Sequence, residues 1–297
     1  MPTFQSPVDS TTLFFRSYIP STSSSPYNPS PDTPPSPRNQ PLTLVFLHGW
    51  PMSSRMFDQL IVPLVETHRF PVVAPDRRGF GLSDWNTPSS NEITFDTFVS
   101  DLVSLLTQHL TLGEFVFVAA SMGSIESVLA HAVSPTIRAH CRGFVWLGPN
   151  MPNNTTSQNT SAIWTALLNG FRSPNGKDFI AQQVPSIFRN DLQSPEDRVG
   201  ERTLQFFERL VCQADPIALE RTAILCQRPM EEELTRLRAF AAGNEGKLTK
   251  VMILHGGEDT GMPFELSAKV VHDLLPWSTL KVYERAGHGE FSVRQSG

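Results

Sequence analysis

The sequence predicts an α/β protein with a mostly parallel β-sheet flanked by helices. Short runs of β-branched and aromatic residues alternate with stretches of helical apolar spacing, which is typical of successive β-α-β units. The predicted strands are LTLVFL, FPVVAP, EFVFVAA, RGFVWL, KVMILH and STLKVY. The helical spacing is clearest at Phe57, Leu60, Ile61, Leu64 and Val65, and again at Phe95, Phe98, Leu102, Leu105 and Leu106.

Three further segments complete the predicted organisation. Residues 12–17 predict an early strand, and the Ser- and Pro-rich run 19–41 predicts an irregular loop. From residue 151 the strand pattern stops and helical stretches such as TLQFFERLVCQ follow. We therefore assign residues 1–150 and 246–297 to the core that carries the sheet. Residues 151–245 are assigned to a helical cap over its carboxyl edge.

Composition narrows the class of function. The chain has 297 residues, 39% of them hydrophobic, and a formal net charge of -5 from charges of both signs. No basic patch favours nucleic acid, and no run approaches the roughly 20 apolar residues of a membrane span. Cys141, Cys212 and Cys226 fit neither a metal motif nor a disulfide framework. We expect a cytoplasmic protein with a small apolar or neutral partner, and a homo-oligomer is compatible with these features.

Ser121 is the predicted nucleophile. It lies in FVFVAASMGS, where a strand pattern leads through small residues into the helical pattern of IESVLAHAV. A serine on so sharp a strand-to-helix turn needs small neighbours, and Ala119 and Gly123 supply them. The alternative is an ordinary turn with a serine at the helix N-terminus.

His288 and Asp259 are the predicted base and acid. His288 follows the strand STLKVY, and Asp259 follows KVMILH. Ser, acid and His in this chain order match one known arrangement of a catalytic triad. Asp259 is preferred to Glu258, although a surface histidine and a solvated acidic turn would give the same local sequence.

The backbone N–H groups of Trp50 and Met122 are predicted to form an oxyanion hole, since LHGWP supplies a bend after a strand and Met122 follows the nucleophile. His48 is expected to be a packed structural histidine and not the base. The side chains of Trp50, Trp164 and Phe171 are predicted to line an apolar substrate pocket. No cofactor or metal is predicted, because Asp84 breaks the glycine fingerprint in DRRGFGLSD and no metal-ligand spacing occurs.

Five motifs in this order resemble the α/β-hydrolase superfamily, and within it the cofactor-free haloperoxidases and arylesterases of a fungal type. The motifs are LHGWPMSSRMF, PVVAPDRRGFGLSD, AASMGS, LHGGEDTGMP and AGHG. The resemblance covers about residues 12–291 and implies an eight-stranded sheet with a cap over Ser121. Three features depart from the family pattern: Ala119, Ser124 at a usual glycine position, and the absence of a closing helix after His288.

The expected activity is cleavage of a carboxylic ester, lactone or related acyl compound, of the kind found in secondary metabolism, through an acyl-enzyme on Ser121. Dehalogenation is disfavoured because it uses a carboxylate at this position. Ester cleavage is preferred to halide oxidation, because no redox cofactor is implied. Two alternatives stay open: a ligand-binding protein that has lost turnover, and an acyl transferase or cyclase that uses the same pocket.

Overall fold

An eight-stranded sheet forms the centre of the computed structural model, which describes residues 2–21, 42–85, 93–152, 165–166, 168–170, 172–189, 198–243 and 249–289. The strands are β1 (Thr3–Gln5), β2 (Thr12–Tyr18), β3 (Thr43–Leu47), β4 (Val72–Pro75), β5 (Phe115–Ala120), β6 (Cys141–Leu147), β7 (Lys250–Gly256) and β8 (Thr279–Tyr283). They lie in the order β1-β2-β4-β3-β5-β6-β7-β8. β1 and β2 are antiparallel to their neighbours, and β3 to β8 are parallel. The predicted fold class is confirmed.

Helices follow most strands. They are α1 (Asp58–Glu66), α2 (Phe95–Ser104), α3 (Met122–Val133), α4 (Pro135–His140), α5 (Gly176–Gln182), α6 (Val184–Ile187), α7 (Glu201–Gln213), α8 (Pro216–Leu225), α9 (Glu231–Gly243) and α10 (Ala268–Leu274). Short 3₁₀ turns occur at Ser54–Phe57 and Phe264–Leu266, and a π turn at Leu105–His109 extends α2. Within the described ranges, no helix is both long and apolar enough to cross a membrane.

The two faces of the sheet are buried in two apolar clusters. Alternate β3 residues point to opposite faces, so Val45 packs in one cluster with Phe98 and Ile125. Phe46 packs in the other cluster with Ile61. All five side chains are almost fully buried, and burial of each contributes about 1.5–3 kcal/mol. Burial on both faces explains why the central strands are continuously apolar.

Between β6 and β7 the described part of the chain forms helices and no strand. Phe207 and Leu210 of α7 join the cluster around Phe46. α9 packs against α3, where the Phe240 ring lies 5.9 Å from the His131 ring. The division into a core and a cap at the predicted boundaries stays a prediction.

Two local predictions can be compared with the structure. The early strand predicted at 12–17 is β2, which extends to Tyr18, whereas β1 was not predicted. Of the predicted Ser- and Pro-rich loop, residues 22–41 lie outside the described residues.

Candidate active site

Ser121 lies on the sharp turn between β5 and α3. Its backbone has φ 48° and ψ -118°, a conformation that costs a non-glycine residue about 1–3 kcal/mol. Gly123 lets the turn approach β3, because a Cβ at Gly123 would lie 2.5 Å from the Leu47 carbonyl oxygen. Ala119 is fully buried, and the Ser124 hydroxyl donates to the Ser121 carbonyl oxygen at 2.6 Å. Both departures from the family pattern are thus accommodated at the turn.

His288 and Asp259 form a hydrogen-bonded pair at the carboxyl edge of the sheet. His288 Nδ1 donates to Asp259 Oδ2 at 2.6 Å. The other carboxylate oxygen of Asp259 accepts the Met262 backbone N–H at 2.8 Å. The Asp259 side chain has no exposed surface, whereas that of His288 is 22% exposed. The pairing orients the imidazole and leaves Nε2 as the nitrogen that can accept a proton.

The pKa of His288 reflects two opposing effects. Burial of the ring lowers its pKa, but the charge of Asp259 and its hydrogen bond together raise it by more, so the pKa is above its ordinary value. Glu258, the other acidic residue of this turn, is 42% exposed and lies 4.0 Å from Arg189 Nε. Of these two acidic residues, Asp259 is therefore the one that is hydrogen-bonded to His288.

Ser121 and His288 line the same cavity. Its volume is about 30 Å³, enough for ordered water. The other lining residues are Gly49, Trp50, Met52, Met56, Ala120, Leu147, Ile187, Phe188, Phe207 and Gly289. Apart from the His288 imidazole, no ionisable side chain of the described residues lines it. The arrangement is a strained serine and an oriented histidine in an apolar cavity.

The segment after β3 passes directly beside Ser121. A Cβ at Gly49 would lie 3.3 Å from the Ser121 Cβ. Trp50 follows Gly49 and lines the cavity, and its indole Nε1 donates to the Leu219 carbonyl oxygen of α8 at 3.4 Å. Met122 begins α3, so its N–H belongs to the helix N-terminus, where amides lack intrahelical partners. Both predicted oxyanion donors thus belong to segments that adjoin Ser121.

The predicted pocket residues have different outcomes. Trp50 lines the cavity, while Trp164 and Phe171 lie outside the described residues. Phe188 and Phe207 line it as well, with ring centroids 4.9 Å apart. Both rings belong to the helical segment after residue 150, and this position and their aromatic character are the sequence signals that indicate a place in the pocket.

Gly148, which sequence reasoning missed, lies beside the histidine and aspartate pair. It follows β6 with φ +52°, and a Cβ there would lie 3.2 Å from His288 Nδ1. The Gly148 N–H donates to the Leu254 carbonyl oxygen at 2.9 Å, which fixes the residue between two strand ends. A glycine directly after a predicted strand was the one signal that could have pointed to it.

A family model described as alpha/beta hydrolase fold matches residues 43–293. The chain belongs to the alpha/beta hydrolase family. This hydrolase is 27% identical over 257 residues to the non-heme chloroperoxidase CPO-A1 of Kitasatospora aureofaciens, covering 83% of this chain and 84% of the relative. It is 26% identical over 263 residues to the bifunctional esterase/perhydrolase DCH of Acinetobacter calcoaceticus, covering 85% and 87%.

Among solved structures, an esterase from Exiguobacterium antarcticum superposes with this alpha/beta hydrolase at a TM-score of 0.76. The match has 22% identity and covers 98% of this chain and 94% of that chain, so it supports the fold alone. These three proteins are bacterial, and they do not confirm the fungal type that the motifs predicted.

Proposed function

We propose that this alpha/beta hydrolase is a serine hydrolase that cleaves a carboxylic ester, a lactone or a related acyl compound through an acyl-enzyme on Ser121. The proposal rests chiefly on the 2.6 Å hydrogen bond between His288 Nδ1 and Asp259, with His288 and Ser121 in one cavity. A serine hydroxyl needs such an oriented base to act as a nucleophile at neutral pH.

The proposed reaction has two halves. His288 Nε2 takes the Ser121 proton as Oγ attacks the substrate carbonyl carbon, and the N–H groups of Trp50 and Met122 stabilise the oxyanion. The alcohol leaves with the proton from His288, and the acyl group stays on Ser121. Water then attacks the acyl-enzyme after His288 removes its proton, which releases the acid and restores the serine. Asp259 stabilises the imidazolium in both halves.

The cavity favours an apolar acyl group. Met52, Met56, Phe188 and Phe207 surround the space beside Ser121. Burial of an apolar group there is favourable by about 25 cal/mol for each Å² removed from water. Among the described lining residues His288 is the one ionisable side chain, so burial of a charged acyl group would cost free energy. We therefore propose uncharged aliphatic or aromatic esters over charged acyl compounds.

The acceptor for the acyl group separates this function from related ones. One relative is named as a bifunctional esterase/perhydrolase. Hydrogen peroxide is therefore an acyl acceptor that should be compared with water. An acyl transferase would prefer an added alcohol or amine, and a ligand-binding protein would form no acyl-enzyme. Product ratios from one ester with each acceptor distinguish these possibilities.

The proposal is tested by turnover of p-nitrophenyl acetate and of a panel of lactones. Ser121→Ala should lower kcat by about 10³-fold or more, because the residual rate comes only from binding and electrostatic stabilisation. The exposed Ser100, whose hydroxyl donates to a carbonyl of its own helix, provides the control Ser100→Ala. Equal turnover by the parent and Ser121→Ala would refute the proposal.

A further inference from the structure

A buried ion pair holds one of the two segments that carry the proposed oxyanion donors. Arg77, just after β4, donates to both carboxylate oxygens of Glu126 in α3, from Nε to Oε1 and from Nη2 to Oε2 at 3.0 Å. The two side chains are 4% and 7% exposed. Bidentate charge-assisted pairs are among the strongest side-chain hydrogen bonds and have a fixed geometry.

The same arginine also holds the loop after β3. Its backbone N–H donates to His48 Nε2 at 2.9 Å. Its guanidinium Nη2 donates to the His48 carbonyl oxygen at 2.8 Å. His48 Nδ1 lies 2.9 Å from the Gly49 carbonyl oxygen and donates to it, since Nε2 is already an acceptor. Arg77 therefore fixes the ring and the backbone of the residue that precedes Gly49 and Trp50.

His48 is suited to this role because it is neutral. Burial of the ring, assisted by the positive charge of Arg77, lowers the pKa of His48 well below its ordinary value. A neutral imidazole can accept at Nε2 while donating at Nδ1, whereas a protonated ring could only donate. The hydrogen bond from the Arg77 backbone thus requires the neutral form.

The other end of the connection is the helix that begins at Met122. Glu126 lies four residues after Met122 in α3, on the same side of the helix. We infer that Arg77, Glu126 and His48 are positioning residues that fix the spacing between the Trp50 and Met122 N–H groups. The inference rests on the proposed function, because the spacing matters only if both amides bind an oxyanion.

Fixed spacing has a specific consequence for catalysis. Donors that are already aimed at the developing oxyanion need no reorganisation during the reaction, so their loss lowers kcat more than it raises KM. Removal of a purely structural ion pair would lower stability and leave kcat unchanged. The two roles therefore differ in a measurable way.

The chain offers a matched control in the same region. Arg78 pairs with Asp101 at 2.9 Å, and their side chains are 0% and 9% exposed. Both ion pairs line one internal cavity of about 40 Å³. Arg78 also bonds to Asp9 and Ser6 near the amino terminus. Asp101→Asn therefore removes a comparable buried charge from a network centred on the amino-terminal strands.

The test compares Glu126→Gln with Asp101→Asn, each measured for Tm, for kcat and KM with p-nitrophenyl acetate, and for inhibition by an aryl trifluoromethyl ketone. The ketone adds to the serine and places an oxyanion where the transition state does. We expect Glu126→Gln to lower kcat by about tenfold or more, with KM changed by less than about twofold. Ketone affinity should fall by the same factor as kcat.

Arg77→Lys is the second variant if Glu126→Gln does not fold, because one ammonium group cannot reproduce the fork between Glu126 and the His48 carbonyl. Asp101→Asn should keep kcat within about twofold of the parent. An active parent, with Glu126→Gln and Asp101→Asn equal in kcat and ketone affinity, would overturn this inference alone. An inactive parent would overturn the proposed function and this inference with it.

Discussion

Gly148→Ala tests the geometry of His288 and Asp259 with a single methyl group. Gly148 has φ +52°, and the added Cβ would lie 3.2 Å from His288 Nδ1, 3.3 Å from His288 Cε1 and 3.6 Å from Asp259 Oδ2. The methyl group would press on the imidazole beside the hydrogen bond that orients the proposed base. We predict that this variant loses both stability and turnover.

The expected magnitudes follow from two effects. A Cβ in the left-handed backbone region costs about 1–2 kcal/mol. At roughly 2–4 °C per kcal/mol, this lowers Tm by about 2–8 °C. Because the added Cβ would be close to the His288 ring, the ring must move away by a few tenths of an ångström. Because a displacement of about 1 Å can cost about 10²-fold in rate, we expect kcat to fall about three- to tenfold.

The assay measures Tm and the kcat for p-nitrophenyl acetate. Gly200→Ala is the control, because Gly200 has φ -67° and a Cβ there would meet nothing within 4 Å. This control should keep the parent kcat. If Gly148→Ala lost stability but matched Gly200→Ala in kcat, the methyl group would not disturb the base, and the reasoning would be refuted.

Four further predictions concern the triad acid and the titration of His288 and the cysteines. Asp259→Asn should lower kcat by about 10³–10⁴-fold, because the amide no longer fixes the imidazole tautomer. Steady-state kinetics measures this loss, and a decrease in kcat of less than about tenfold would contradict the proposed role of Asp259. The raised pKa of His288 predicts that kcat/KM increases with pH through a value above the ordinary histidine pKa of about 6.5. By linkage, the difference in free energy of unfolding between the parent and His288→Gln should be largest below about pH 6.5, where it favours the parent. It should be lost as the pH rises through the raised pKa. Urea titrations at about pH 6 and pH 9 measure this difference, and a larger difference at the higher pH would contradict the predicted sign. Burial raises the pKa of Cys141 and Cys226 to about 12, so at about pH 8 iodoacetamide should modify the half-buried Cys212 first in the folded protein. Peptide mass spectrometry should find the other two thiols modified only after denaturation, and early modification of either would contradict the predicted order.

The fold was predictable because its signals are local. Each parallel strand is a short run of β-branched and aromatic residues, and each neighbouring helix has its own apolar spacing. β1 (Thr3–Gln5) was missed because three residues carry no periodic pattern, and its pairing with β2 depends on the assembled sheet edge. Local signals also led to Ser121, since the strand, the small residues and the helix are contiguous there.

The geometry of the candidate site was predictable only where its residues follow strands. Asp259 and His288 could be placed together because the carboxyl ends of parallel strands meet at one edge of a sheet. The pairing of Arg77 with Glu126 joins residues 49 positions apart, and no local pattern indicates it. The position of Gly148 beside His288 likewise depends on three strand ends coming together. The pocket roles of Trp164 and Phe171 stay predictions.

Labelling with a fluorophosphonate probe, followed by peptide mapping, tests the serine hydrolase proposal most directly. The parent should carry the label on Ser121, Ser121→Ala should not be labelled, and His288→Ala should react slowly. The exposed His68 provides the control His68→Ala, which should react at the parent rate. A folded parent that resists the probe, carries the label elsewhere, or reacts no faster than His288→Ala would contradict the proposed triad.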